Sequence, residues 1–156
     1  MPNIEARLEE VERQVRDLAA RDAIRELAAE YCRQVVFGDT EGVVSLFTED
    51  GSIRTHLPDG SGREDVTPRG REQLRKVYSD LSATSLRPCI HNHIIEVDGD
   101  SAQGFCSVEI RLTQGGVAYT AAGHYEDEYR RLDGAWRLQH RELHVYHWVP
   151  HSSGWA

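Results

Sequence analysis

The chain has 156 residues, a length that suits one domain with a single core. Its 26 acidic residues outnumber its 18 lysines and arginines, and a formal net charge of −8 makes nucleic acid an unfavourable partner. The three cysteines are far apart, so neither a disulfide framework nor a cysteine-based zinc site is indicated. Without a leader-like segment or an apolar run near the roughly 20 residues of a membrane span, we expect a cytoplasmic protein with no membrane partner.

A helical spacing of apolar residues fills the first part of the chain. Five of them predict an amphipathic arm over residues 1–20, laid on its own domain or on a neighbouring subunit: Ile4, Leu8, Val11, Val15 and Leu18. The spacing continues on a shifted phase from Ile24 to Val35 and predicts a second helix or a kink. Gly38 ends this helix, and Asp39 begins a short third one.

The middle of the chain changes from helix to strand and back. Residues 51–56 suit a short strand, and residues 57–70, with two prolines and three glycines, predict an exposed loop of the kind that forms lids. Helical spacing returns over residues 71–81.

From Cys89 onward the apolar period becomes two, and three turn signals predict four long antiparallel strands. The strands cover approximately residues 89–97, 102–113, 117–131 and 135–148. Residues 150–156 form a tail, in which Trp155 folds back or reaches a neighbouring molecule. Helices followed by such a meander predict an α+β domain over residues 21–149, with helices covering the apolar face of a curved sheet.

The order and spacing of several short segments are distinctive. They are residues 23–27 with Tyr31, then 38–39 and 46–51, and in the second half 92–100, 123–128 and 133–137. Together they resemble the SnoaL-like family of the nuclear-transport-factor-2-like (NTF2-like) superfamily. The resemblance implies a cone, in which a curved, mostly antiparallel sheet wraps around a pocket for a small hydrophobic organic ligand. It also implies self-association into dimers or trimers through the outer sheet face.

Relatives of this fold include scytalone dehydratase, bile acid dehydratase and hexachlorocyclohexane dehydrochlorinase. The resemblance implies proton transfer without a cofactor, because most of these relatives work in that way. The Asp–His dyad of the dehydrochlorinase falls near Val36 and Pro88 here, so the dyad is missing. Tyr31 matches a pocket tyrosine of the two dehydratases, and Arg141 matches a pocket arginine of the dehydrochlorinase.

Four residues are candidates for catalysis. Alternation puts His91 and His93 on the strand face that we expect to be inward, where imidazoles can transfer protons near neutral pH. Tyr31 lies on an apolar helical stripe, from which its hydroxyl would polarise a substrate oxygen. Arg141 would stabilise an enolate or phenolate if it points inward. The alternatives are core or interface histidines, a core tyrosine bonded to the backbone and a surface arginine.

The last strand carries two faces of different chemistry. His140, Glu142, His144, Tyr146 and Trp148 share one face, and the pattern leaves open which face is inward. The predicted substrate-binding residues are Val36, Phe37, Cys106, Val108, Ile110, His124, His144 and Trp148.

The sequence favours a cofactor-free lyase or isomerase, of dehydratase or cyclase type, that acts on a small hydrophobic ring compound. One alternative is a non-catalytic ligand-binding or assembly module, which the missing dyad favours. Another is a metal-dependent enzyme in which His91 and His93 supply two ligands, although nothing in the sequence fixes a third. We predict no metal and no cofactor.

Overall fold

The computed structural model describes residues 3–58 and 67–153. It contains three α-helices, α1 (Ile4–Phe37), α2 (Thr40–Ser45) and α3 (Gly70–Ser82), and a 3-10 helix at His151–Ser153. Its strands are β1 (Phe47–His56), β2 (Arg87–Asp98), β3 (Ser101–Gln114), β4 (Val117–Leu132) and β5 (Ala135–Pro150). The predicted α+β class is confirmed. The predictions of a lid-like loop, for residues 59–66, and of a role for Trp155 lie outside the described residues.

The first helix is a single element of 34 residues rather than two. The Asn3 side chain accepts a hydrogen bond from the Glu5 amide at its start, and Gly38 ends it in a left-handed conformation with φ of 66°. The apolar stripe of the predicted arm is 54 to 79% exposed, and Ala20 is the first buried residue. Among the described residues, no helix is long and apolar enough to cross a membrane.

The five strands form one sheet in the order β1-β5-β4-β3-β2. Consecutive strands from β2 to β5 pair antiparallel, as the three tight turns predict, while β1 pairs parallel to β5 at the edge. We call the sheet face that packs against the helices the inner face. The opposite face is the outer face.

The core has two connected parts. Under the helices, α1 and α3 bury Ile24, Tyr31, Leu74 and Tyr78 with side chains of β1 and β5. The second cluster covers the inner face of β3, β4 and β5: Cys106, Val108, Ile110, Leu112, Ala121, Tyr125, Leu143 and Val145. The rings of Tyr31 and Tyr125 join the two parts in an edge contact with centroids 6.3 Å apart.

Three β-bulges decide which side chains reach the inner face, one in β2 and two in β5, and one of the β5 bulges makes Gln139 the extra residue between Leu138 and His140. In β2, two residues lie opposite one of β3 between His91 and Ile94, and Asn92 adopts a positive φ of 51°. In β5, Tyr146 is the extra residue opposite Gly123. A Cβ on Gly123 would lie 2.0 Å from the His144 carbonyl oxygen, so this close approach requires glycine.

Candidate functional site

A buried ion pair lies on the inner face of the sheet. Asp127 of β4 and Arg141 of β5 are cross-strand partners, with side-chain exposures of 0% and 1%. The Arg141 Nε–H donates to Asp127 Oδ1 and its Nη2–H donates to Oδ2, both at 2.7 Å. Desolvation opposes the charge on Arg141, but the carboxylate of Asp127 outweighs it and keeps the pKa of Arg141 above its ordinary value. Because a buried pair seldom adds net stability, its presence points to a role in function or specificity.

Two tyrosine rings form a corner around the guanidinium. The Arg141 Cζ lies 4.2 Å from the ring centroid of Tyr31 and 4.0 Å from that of Tyr125, and the two rings meet at 80°. The Tyr31 hydroxyl lies 3.1 Å from the Tyr78 hydroxyl, and burial raises the pKa of Tyr78 well above its ordinary value. The Nη1 of Arg141 is buried and has no hydrogen-bond partner among the described residues. The guanidinium therefore keeps an unused donor edge in an aromatic setting.

A hydrogen-bonded chain extends from Asp127 to a histidine. The Tyr129 hydroxyl donates to Asp127 Oδ2 at 2.7 Å, and burial is the main cause that raises the pKa of Tyr129. Its oxygen also lies 3.3 Å from His93 Nε2. Since the single hydroxyl proton is given to Asp127, His93 must donate from Nε2, which assigns the proton to that nitrogen and leaves a lone pair on Nδ1.

The lone-pair nitrogen of His93 has the properties of a proton acceptor. His93 Nδ1 is buried and has no hydrogen-bond partner in the described part of the chain. Burial lowers the pKa of His93 below its ordinary value, with a smaller opposing effect of the Asp127 charge. The imidazole is therefore neutral at pH 7 and able to accept a proton.

Gly104 of β3 makes room for this chain. A Cβ at this position would lie 2.8 Å from Tyr129 Cε2 and 3.1 Å from His93 Nε2, closer than side chains normally pack. The predicted site did not include Gly104, and only the cross-strand arrangement reveals its role.

The same region contains a possible set of metal ligands. Donor atoms of His93, Cys106 and Asp127 lie within 4.8 Å of one another. However, the buried guanidinium of Arg141 already neutralises the Asp127 carboxylate, and burial raises the pKa of the Cys106 thiol to about 12. The set therefore suits proton transfer better than metal binding.

The sequence-predicted residues separate into two groups. Tyr31, His93 and Arg141 converge on the inner face, which also carries Cys106, Val108 and Ile110 in its apolar cluster and Trp148 packed against that cluster. The remaining residues do not. His91 was predicted to face inward, which is wrong because the β2 bulge turns it outward, 3.9 Å from Glu109. His91 and His93 therefore cannot share one metal ion.

Four predicted substrate-binding residues are also placed away from this site. Val36 and Phe37 are 45% and 74% exposed at the end of α1, because the apolar stripe facing the sheet runs along other positions. His124 and His144 face each other on the outer surface of β4 and β5. The β5 bulge also separates His144 from Trp148, which the uninterrupted alternation had put on one face.

Asp127, Tyr125, Tyr129 and Tyr78 were not among the predicted site residues. Alternation along β4 was the available signal, since it places Tyr125, Asp127 and Tyr129 on one face. An acidic residue between two tyrosines on a buried face needs a cationic partner, and Arg141 on the next strand supplies it.

Most of the chain matches a known protein family. The family model of the SnoaL-like domain matches residues 16–142. The chain belongs to the SnoaL-like family. The predicted resemblance and the NTF2-like fold are thus confirmed, and the comparison with curated proteins found no significant match.

Solved structures support the same fold for this SnoaL-like protein. A function-unknown protein from Mycobacterium tuberculosis is 29% identical, with a TM-score of 0.71 over 86% of this chain and 75% of the other. An NTF2-like protein with a cystatin-like fold from Novosphingobium aromaticivorans is 23% identical, with a TM-score of 0.74 over 94% and 92%. A hexachlorocyclohexane dehydrochlorinase, LinA type 2, is 22% identical, with a TM-score of 0.73 over 88% and 92%. These neighbours include a protein named as an enzyme and one of unknown function.

Proposed function

We propose that this SnoaL-like protein is a cofactor-free lyase or isomerase, of dehydratase or cyclase type, acting on a small hydrophobic ring compound at the inner face. One observation carries the proposal. A single hydrogen-bonded chain joins a neutral imidazole with a free lone pair, on His93, to a permanently charged guanidinium with an unused donor edge, on Arg141. A base and an oxyanion-stabilising cation are the two groups that enolisation requires.

His93 acts as the general base. Its Nδ1 takes a proton from a carbon next to a carbonyl, and the electron pair of the C–H bond moves onto the carbonyl oxygen as an enolate. The imidazolium that forms keeps its Nε2–H on the Tyr129 hydroxyl, which donates to the Asp127 carboxylate. This chain places a negative charge near the new cation and stabilises it.

Arg141 stabilises the enolate oxygen through Nη1. Its other donors, on Nε and Nη2, are held by Asp127, so the guanidinium is fixed before the substrate arrives. Tyr31 packs against the cation and shapes the site. The imidazolium then returns its proton to another carbon in an isomerisation, or to a departing hydroxyl in a dehydration.

The substrate class follows from the walls. Apolar side chains of β3 and β5 continue along the inner face beyond the polar chain, next to the tyrosine rings that pack on Arg141: Val108, Ile110, Leu143, Val145 and Trp148 with Tyr31 and Tyr125. The structural neighbour named a hexachlorocyclohexane dehydrochlorinase has a ring compound in its name.

A second candidate function is a binding module without chemistry. The positions at which the resemblance expects the Asp–His dyad hold Val36 and Pro88, and neither side chain can transfer a proton. The same inner-face site would then retain an apolar ligand and leave it unchanged.

Solvent-deuterium exchange tests the two functions. A panel of apolar cyclic ketones is incubated with the protein in deuterium oxide, and mass spectrometry measures deuterium uptake at carbon. We expect uptake with the wild type and with His91→Gln, which alters the exposed histidine of the same strand, and a loss of about 10²–10⁴-fold with His93→Gln. Equal uptake with His93→Gln would contradict the role of His93. Ligand binding without uptake by the wild type would support the binding module.

Self-association into dimers or trimers belongs to the same proposal. Light scattering coupled to size exclusion measures it directly, and a monomer at about 100 μM would contradict it.

A further inference from the structure

Three imidazoles lie side by side on the outer face of the sheet. His56 of β1, His144 of β5 and His124 of β4 occupy facing positions on adjacent strands. The rings of His56 and His144 stack with centroids 4.3 Å apart, and those of His144 and His124 stack at 4.6 Å. The sheet therefore concentrates ligand atoms on the side opposite the candidate active site.

A carboxylate stands next to two of these rings. His56 Nε2 is hydrogen-bonded to Glu142 Oε2 at 2.9 Å, and His144 Nε2 lies 3.3 Å from the same oxygen. The nitrogen of His144 is buried and makes no hydrogen bond with the described residues, in spite of this short distance. The nitrogen is thus available to a further partner beside the carboxylate.

A second layer of contacts orients the carboxylate. His140 Nε2 lies 3.1 Å from Glu142 Oε1, and its Nδ1 lies 2.7 Å from the Ser52 hydroxyl. Outer contacts of this kind fix carboxylate ligands in metal sites. His140 is thus a positioning residue for Glu142.

The separations suit a small divalent ion. Donor atoms of His56, Glu142 and His144 lie within 4.8 Å of one another. Ligands about 2.0–2.1 Å from a tetrahedral zinc ion lie about 3.3 Å apart, which matches the separation of Glu142 Oε2 and His144 Nε2. The stacked rings of His56 and His144 would rotate so that both nitrogens point at one ion. The three side chains are 28 to 30% exposed, which gives an ion and a water molecule access to the site.

We propose that His56, Glu142 and His144 form a binding site for a divalent transition-metal ion of the Zn²⁺ type, with water as a further ligand. Two imidazoles and one carboxylate are a ligand set that zinc accepts with an open position. The overlapping group of His124, Glu126 and His144 is a weaker choice, because Glu126 is 59% exposed and His124 Nδ1 already pairs with the Tyr146 hydroxyl. A bound ion would link the edge strand β1 to β5.

Calorimetric titration of the full chain with ZnCl₂, after dialysis against a chelator, tests the site. We expect one ion per chain, and a titration with Co²⁺ should give the intense visible absorption of a four-coordinate site. His56→Ala and His144→Ala should each weaken binding at least about tenfold, and Glu142→Gln, which keeps the size and removes the charge, should weaken it as well. The matched control is His91→Ala, another outer-face histidine beside a glutamate, which should bind as the wild type does.

Three results would overturn the proposal. One is the absence of binding at about 1 mM Zn²⁺, and another is binding that all three substitutions leave unchanged. The third is loss of binding in Cys106→Ser, because that would assign the ion to the inner cluster. Circular dichroism of each variant separates loss of ligand from loss of fold. The first two results leave the role of His93 untouched, so this proposal can fail while the proposed activity stands. An ion at the inner cluster, which contains His93, would count against both proposals, and Cys106→Ser identifies that case.

Discussion

For the buried ion pair of Asp127 and Arg141, we predict that a second substitution restores part of the stability that the first one removes. Arg141→Met removes the charge and keeps much of the side-chain volume, but leaves Asp127 buried with only the Tyr129 hydroxyl as partner. An uncompensated buried charge costs about 3–5 kcal/mol of unfolding free energy. Adding Asp127→Asn replaces that charge with a neutral amide of the same shape. We therefore expect the double variant to be more stable than Arg141→Met alone, by about 1–3 kcal/mol.

Urea unfolding at pH 7, followed by far-ultraviolet circular dichroism, measures both values. The contacts of Arg141 with Tyr31 and Tyr125 contribute about 0.5–2 kcal/mol each, but both variants lose them, so they cancel in the comparison. A cost below about 1 kcal/mol for Arg141→Met would refute the reasoning. A double variant that is less stable than the single one would refute it too.

Three further predictions concern neighbouring groups. Gly104→Ala should lower the free energy of unfolding in urea by about 1–3 kcal/mol and reduce deuterium uptake by the substrate, because the new Cβ displaces Tyr129 and His93. Unchanged values of both quantities would contradict the close packing at Gly104. Burial lowers the pKa of His93 in the folded state, so the unfolded state binds its proton first as the pH falls. Relative to His93→Gln, the wild type should therefore lose stability below pH 6.5, and a pH-independent difference would contradict this. Ellman's reagent should react rapidly with the exposed thiol of Cys89. It should react with Cys106, whose pKa burial raises to about 12, only when the protein unfolds. Rapid reaction of Cys106 in the folded Cys89→Ser variant would contradict this.

The fold could be predicted from local signals. Before residue 82 the helical spacing of apolar residues is a signal that extends over only a few residues. After residue 97 three two-residue or Gly-rich turns are equally local, and they determine the antiparallel pairing of β2 to β5. The parallel edge strand β1 was predicted only over 51–56, although it begins at Phe47. Parallel pairing joins distant parts of the chain and leaves no turn signal.

The candidate site was harder to predict because each bulge reverses the alternation beyond it. Counting from the turn that joins Leu132 to Ala135 pairs Asp127 with His140. A bulge between Glu128 and Tyr129 shifts the register by one residue and sets Asp127 opposite Arg141. The inward placement of His91 failed for the same reason. Tyr31 was easier to place, since a continuous helix has no such irregularity.

The pairing of Asp127 with Arg141 also has a consequence for how β4 and β5 find their alignment. Two bulges on β5 flank Arg141, so the alternation of side chains along β5 does not by itself fix its alignment with β4. A shift of two residues keeps every side chain on its face but sets Arg141 opposite Tyr125 or Tyr129, and leaves both charges buried without a partner. We therefore expect the ion pair to favour this one register of β4 and β5, because a shifted register loses the charge pair and has nothing to replace it.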